Sequence, residues 1–144
     1  MKQIITLCLA VFFMAGIQDI QAQTKEETIE WIKEKLEKHS FSDDDYGEIE
    51  IKISPCEIFI KRRRSIQEFN PSDSEWESEG LVFEDRNLYR VKAKAGQVIK
   101  LPNFTTPYGE YILLYGKGVP DISDRFAKAL NHLATFCEKP KEAF

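Results

Sequence analysis

From Ile49 to Lys61 the chain alternates: Ile49, Ile51 and Ile53 are separated by Glu50 and Lys52, and Ile58 and Ile60 sit among Glu57, Phe59 and Lys61. A period of two places the isoleucines on one face and the charges on the other, the mark of half-buried strands. Ser54-Pro55 supplies the turn for an antiparallel pair. This pattern commits the chain to a sheet with one apolar face, and the flanking segments must cover that face. Further strands are predicted at 80 to 84, 88 to 95, 97 to 101 and 110 to 115, with turns at Ala95-Gly96 and from Pro102 to Gly109.

Outside this region the period is helical. Thr24-Lys25-Glu26-Glu27 places a hydroxyl at a candidate N-cap and a carboxylate three residues on, so that each satisfies a free amide at a helix start. A helix from about 25 to 38 follows, with Ile29, Ile32 and Leu36 on one stripe and Trp31 projecting nearly opposite, where a second element is expected to cover it. A C-terminal helix is predicted from about 122 to 138, opened by Asp121 or Ser123. It carries Ile122, Phe126, Ala129, Leu130, Leu133, Phe136 and Cys137 on one broad face. Helix, strands and helix together predict an α+β domain: a bent antiparallel sheet of about six to seven strands with an N-terminal helix and a C-terminal packing helix.

The first 22 residues read differently. Met1 and Lys2 form a short basic start, an apolar run of about 14 residues extends from Ile4 to Ile17, and Ala22 offers a small residue for cleavage, so residues 1–22 are expected to be a signal peptide. The run is short of the ~20 residues a membrane-crossing helix needs, and no transmembrane anchor is expected in the mature chain. Cys8 lies within the apolar run and lacks a lipobox before it. Residues 23–144 are then one globular α+β domain, exported to the periplasm or secreted. Loss of Lys2 and Asp19 with the leader removes one base and one acid, so the net charge stays at −4, which argues against nucleic acid as a partner.

Recognisable chemistry is sparse. Asp43-Asp44-Asp45-Tyr46-Gly47 fails as a calcium loop, because counting from Asp43 glycine falls fifth rather than sixth and the twelfth position is Ser54. A solvated acidic turn is the plainer reading. His39 and His132 have no second ligand at zinc spacing, no serine sits in a nucleophile elbow, and Gly116-Lys117-Gly118 lacks the spacing of a phosphate loop. No cofactor, metal or catalytic residue is assigned, although dispersed carboxylates stay open as an enzymatic alternative. Export leaves Cys56 and Cys137 in a compartment where a disulfide persists. Whether they bond or remain two buried thiols is open at this point.

Arg62-Arg63-Arg64 is the one local concentration of charge suited to a ligand. On a strand Arg62 and Arg64 would share one face, and two guanidinium groups there could grip a carboxylate, sulfate or phosphate. The competing reading pairs these arginines with Asp73, Glu75, Glu77 and Glu79.

The order of elements, with Glu27-Thr28-Ile29-Glu30-Trp31-Ile32 near the mature start and Asp124-Arg125-Phe126-Ala127-Lys128-Ala129-Leu130-Asn131-His132-Leu133 near the end, resembles small exported Bacteroidota proteins of unassigned function. The resemblance implies a pleckstrin-homology-like fold, a bent antiparallel sheet closed by a C-terminal helix. This chain adds an N-terminal helix to that plan and carries no inositol-phosphate motif. Fold implies architecture rather than activity. The expectation is therefore a non-catalytic exported domain that binds an envelope protein, glycan or lipid-like ligand, with a structural or accessory subunit of an envelope complex, or an enzyme with dispersed carboxylates, as the alternatives.

Overall fold

The computed structural model describes residues 23–40 and 48–138, and the Asp43-Asp44-Asp45 turn lies outside them. The fold is α+β, with helices α1 (Lys25–His39) and α2 (Ile122–Ala134) bracketing eight antiparallel strands in two sheets. These are β1 (Glu50–Ser54), β2 (Glu57–Lys61), β3 (Ile66–Phe69), β4 (Trp76–Phe83), β5 (Leu88–Ala93), β6 (Ile99–Lys100), β7 (Tyr108–Gly109) and β8 (Tyr111–Tyr115). One sheet has the order β1-β2-β3-β6-β7 and the other β4-β5-β8.

Helix α1 begins as its sequence dictates. Thr24 Oγ1 accepts from the Glu27 amide at 3.2 Å and the Thr24 amide donates to Glu27 Oε2 at 2.9 Å, a complete capping box. Thr28, Ile32 and Leu36 point inward. Trp31, off the apolar stripe, is half-buried against Phe126 of α2 (ring centroids 6.3 Å apart) with the cations of Lys35 and Arg125 at 5.5 and 5.3 Å from its ring. Helix α2 is shorter than the periodicity predicts. Asp121 occupies its N-cap without a side-chain cap bond, Ser123 lies inside the first turn, and the chain leaves the helix after Ala134 in tight turns that carry Phe136 and Cys137.

The two sheets and two helices share one core. Ile58, Ile60 and Phe69 meet Trp76, Val91, Ile112 and Leu114 from the other sheet, with Ile32 and Leu36 from α1 and Phe126, Leu130 and Leu133 from α2. Two asparagines stand in for missing strand partners. Asn131 of α2 accepts from the Trp76 amide and donates to the Trp76 carbonyl, both at 2.8 Å, where β4 is an edge. Asn103 accepts from the Ile66 amide and donates to the Arg64 carbonyl, both at 3.0 Å, extending the β3–β6 pairing beyond its one register pair. Each amide side chain thus satisfies one donor and one acceptor that would otherwise be left to water.

Strand β3 and the first half of β4 were not expected from the sequence. Ile66-Gln67-Glu68-Phe69 is too short to display a period. In β4 the register shifts between Ser78 and Gly80, whose φ is +68°, so the alternation breaks midway. Past this bulge Leu81 and Phe83 are 45% and 52% exposed. Gly116 is needed for closeness instead: a Cβ there would fall 2.3 Å from the Tyr89 ring.

Candidate functional site

The strand alternation expected at Arg62 and Arg64 is not formed, because β2 ends at Lys61 and residues 62 to 65 make the turn into β3. The Arg62 amide closes that turn by donating to the Ser65 carbonyl at 2.8 Å, while its guanidinium donates to Ser40 Oγ at the end of α1. Burial pushes the Arg62 pKa down from the ordinary guanidinium value. Arg64 is held through its carbonyl by Asn103, and Arg63 is exposed. The two arginines therefore stand on a turn and do not share a strand face. The acidic stretch they were weighed against finds cations on the neighbouring strand or just beyond it: Glu75 pairs with Lys94 (3.0 Å), Glu77 with Lys94 (3.8 Å), and Glu79 with Arg90 and Lys92.

Cys56 and Cys137 are bonded, with Cα atoms 4.9 Å apart. Cys137 does not lie on the apolar face of the C-terminal helix, where the sequence placed it, because the helix ends at Ala134. Cys56 is exposed at the β1–β2 turn, and Cys137 follows the end of α2. The bond ties the five-stranded sheet to the C-terminal helix across 81 residues of sequence.

The tryptophans and histidines are occupied by the fold. Trp76 is buried, packs against Phe69 (5.1 Å) and donates from Nε1 to the Pro71 carbonyl at 2.9 Å. His39 Nδ1 lies 3.0 Å from the Tyr115 carbonyl and His132 Nε2 lies 2.9 Å from the Gln23 carbonyl. Among the described residues no group of three or more His, Cys, Asp or Glu side chains is arranged to hold a metal, and every Asp and Glu is exposed or half-buried.

The residues with no such internal use gather on the outer face of the five-stranded sheet. Strand register places Lys52 opposite Phe59, Phe59 opposite Glu68, Glu68 opposite Lys100 and Lys100 opposite Tyr108, one row that crosses all five strands. At the usual strand spacing the row is roughly 19 Å long, with Phe59 and Tyr108 about 14 Å apart. Tyr108 is 46% exposed, Phe59 is half-buried, and the Lys52 ammonium lies 5.5 Å from the Phe59 ring. Lys100 and Arg63 make no ion pair among the described residues, whereas Lys52 pairs with Glu50 at 3.0 Å. Hydrogen bonding to Lys52, reinforced by its charge, holds the Glu50 carboxyl below its ordinary pKa.

A recess flanks the row at each end of the strands. Beside the disulfide, Ser54, Glu57, Glu68, Asn70, Asp73 and Lys100 border an open groove of about 340 Å³. At the arginine end, Glu48, Ile49, Glu50, Lys61, Arg62 and Arg63 border a second of about 480 Å³. The loop after β6 rises beside that end, fixed to the arginine turn by Asn103 and presenting Phe104, which is 49% exposed. Sequence reasoning noted Arg62 to Arg64 but missed the row, since it exists only through pairings between distant strands. Among the described residues no helix is long and apolar enough to cross a membrane. Compared with known proteins, the chain matches no family model, no curated protein and no solved structure, so the reading of this face rests on its own residues.

Proposed function

We propose that the chain is an exported, non-catalytic binding domain whose working surface is the outer face of its five-stranded sheet. The observation that carries this reading is the row from Lys52 to Tyr108: an exposed tyrosine and a half-buried phenylalanine in one line with Lys100, which makes no ion pair among the described residues, on a sheet face with a recess at each end. The Cys56–Cys137 bond supports export, because disulfides persist in oxidising compartments, and the leader-like residues 1–22 agree with it. Arg62 and Arg64 enter as rim residues of this face, where an anion contact would come from the turn that carries them.

A second reading, an accessory subunit of an envelope complex, is favoured by one feature: β4 is an edge strand whose bulge turns Leu81 and Phe83 outward. Cell fractionation of the full chain, followed by intact-mass analysis, tests the exported half. The expected product lies outside the cytoplasm, begins near Gln23, and has cysteines that resist alkylation until reduced. A cytoplasmic product that keeps Met1 to Ala22 would overturn it. Tyr108→Ser and Leu81→Ser then separate the two readings. Retention on immobilised envelope polysaccharide, lipid or protein is expected to fall only for Tyr108→Ser, and loss only for Leu81→Ser would transfer the function to the β4 edge.

A further inference from the structure

Resting on that reading, we propose that the row Lys52–Phe59–Glu68–Lys100–Tyr108 binds a linear polysaccharide bearing carboxylate groups. The residues of the row match such a polymer in their chemistry. Phe59 and Tyr108 offer flat apolar faces suited to the C–H faces of sugar rings, while Tyr108 keeps a hydroxyl for hydrogen bonding. Lys100 stands between them on the same face without an ion pair, and Arg63 is exposed and likewise unpaired at the rim; these are the positions from which a uronate carboxylate would be met.

Glu68 adds an acceptor for sugar hydroxyl groups. It sits in the middle of the row, next to Phe59 on one side and Lys100 on the other, and it can only accept hydrogen bonds when ionised. A sugar chain brings hydroxyl donors to it. A single-stranded nucleic acid could also stack on the two rings, and the oligonucleotide arm of the test below separates it from a sugar chain. A polyuronate carries its charge on rings that also present hydroxyl groups, so cation and carboxylate on the protein each have a counterpart.

The test uses the disulfide-bonded chain from Gln23 onward, which contains every described element, and affinity electrophoresis or calorimetry against four polymers: polygalacturonate, alginate, a neutral β-glucan and a single-stranded oligonucleotide. The expected result is binding to at least one polyuronate. Tyr108→Ser and Phe59→Ala should each weaken it about tenfold, the size of one lost stacking contact. Lys100→Gln should weaken it several-fold and reduce its dependence on salt. Tyr108→Ser removes an exposed ring, so the test does not depend on the tolerance of Phe59→Ala. Binding confined to the neutral glucan or to the oligonucleotide, and lost in Tyr108→Ser, would overturn the ligand class while leaving the binding face in place. No binding to any of the four overturns the polysaccharide assignment, and polyuronate binding indifferent to Tyr108, Phe59 and Lys100 overturns the face as well.

Discussion

The two sheets of this protein share a core and differ on their outward sides. The three-stranded sheet pairs its charges within itself or just beyond its strands: Glu79 with Arg90 and Lys92, Glu77 with Lys94 at 3.8 Å, and the Arg90 guanidinium lies 4.2 Å from the centre of the Tyr111 ring. The Tyr111 phenol donates a hydrogen bond to the Glu110 carboxylate, which with desolvation pushes its pKa up, so this ring too is engaged by neighbours. The five-stranded sheet leaves Lys100 without an ion pair and Tyr108 nearly half exposed, with Phe59 between Lys52 and Glu68. A face whose charges answer one another needs nothing from outside. Unanswered charge beside exposed rings is what a ligand can complete, and this contrast distinguishes the two surfaces more sharply than composition does.

The contrast holds only if both sheets belong to one cooperative unit, and the largest expected effects test that. Phe126 and Leu133 are fully buried between the sheets and α1, so Phe126→Ala should cost about 3 to 5 kcal/mol and Leu133→Ala about 2 to 5. Calorimetry should show one transition moving down. Two separated transitions would mean that the sheets fold independently, and their faces could then not be compared as parts of one design. Next in size is the disulfide. Replacing both Cys56 and Cys137 by Ser should cost about 4 kcal/mol in the chain-entropy account, because the closed loop spans 81 residues. Exchange of the amides that open only on global unfolding should rise together, and a rise confined to the β1–β2 turn and the segment after α2 would show that the bond acts locally instead.

Smaller effects sharpen the comparison directly. Glu79→Gln removes the carboxylate that answers Arg90 and Lys92 and should lower stability by up to about 1 kcal/mol in chemical denaturation, while Tyr108→Ser on the other sheet should change it by no more than about 0.5 kcal/mol. A larger loss for Tyr108→Ser would make that ring a structural residue. The smallest effects are those of pH. Glu75 raises the Lys94 pKa by hydrogen bonding and charge, so that contribution is complete below the ordinary lysine pKa and lost as pH climbs through the raised value. Glu50 is lowered by Lys52, so its contribution is complete above the ordinary carboxylate pKa and lost as pH falls through the lowered value. Both groups are fully exposed, and Lys94→Gln or Glu50→Gln should flatten only the alkaline or only the acid limb of a stability profile.

Local signals were legible in the sequence and long-range ones were not. Thr24 and Glu27 announced α1, the isoleucine alternation announced the β1–β2 hairpin, and the apolar stripe from Ile122 to Leu133 announced α2. Each depends on neighbours within a few residues. Strand β3 escaped notice because four residues show no period, and the first half of β4 because the Gly80 bulge resets its alternation before the predicted 80 to 84 segment. Arg62 to Arg64 looked like strand because charges adjoined Ile60, yet the chain needs a turn there to bring β3 alongside β2. The candidate face lay beyond reach for the same reason: Phe59, Lys100 and Tyr108 are distant in sequence and meet only through register.

Amide chemical-shift mapping of the isotopically labelled, disulfide-bonded protein during titration with oligogalacturonate tests the central claim most directly. The predicted result is a set of saturable shifts centred on Lys52, Phe59, Glu68, Lys100 and Tyr108, extending to Arg63 and fading toward β5 and β8. Shifts centred on Arg90, Lys92 and Tyr111, or on Leu81 and Phe83, would contradict it, as would a spectrum that does not change.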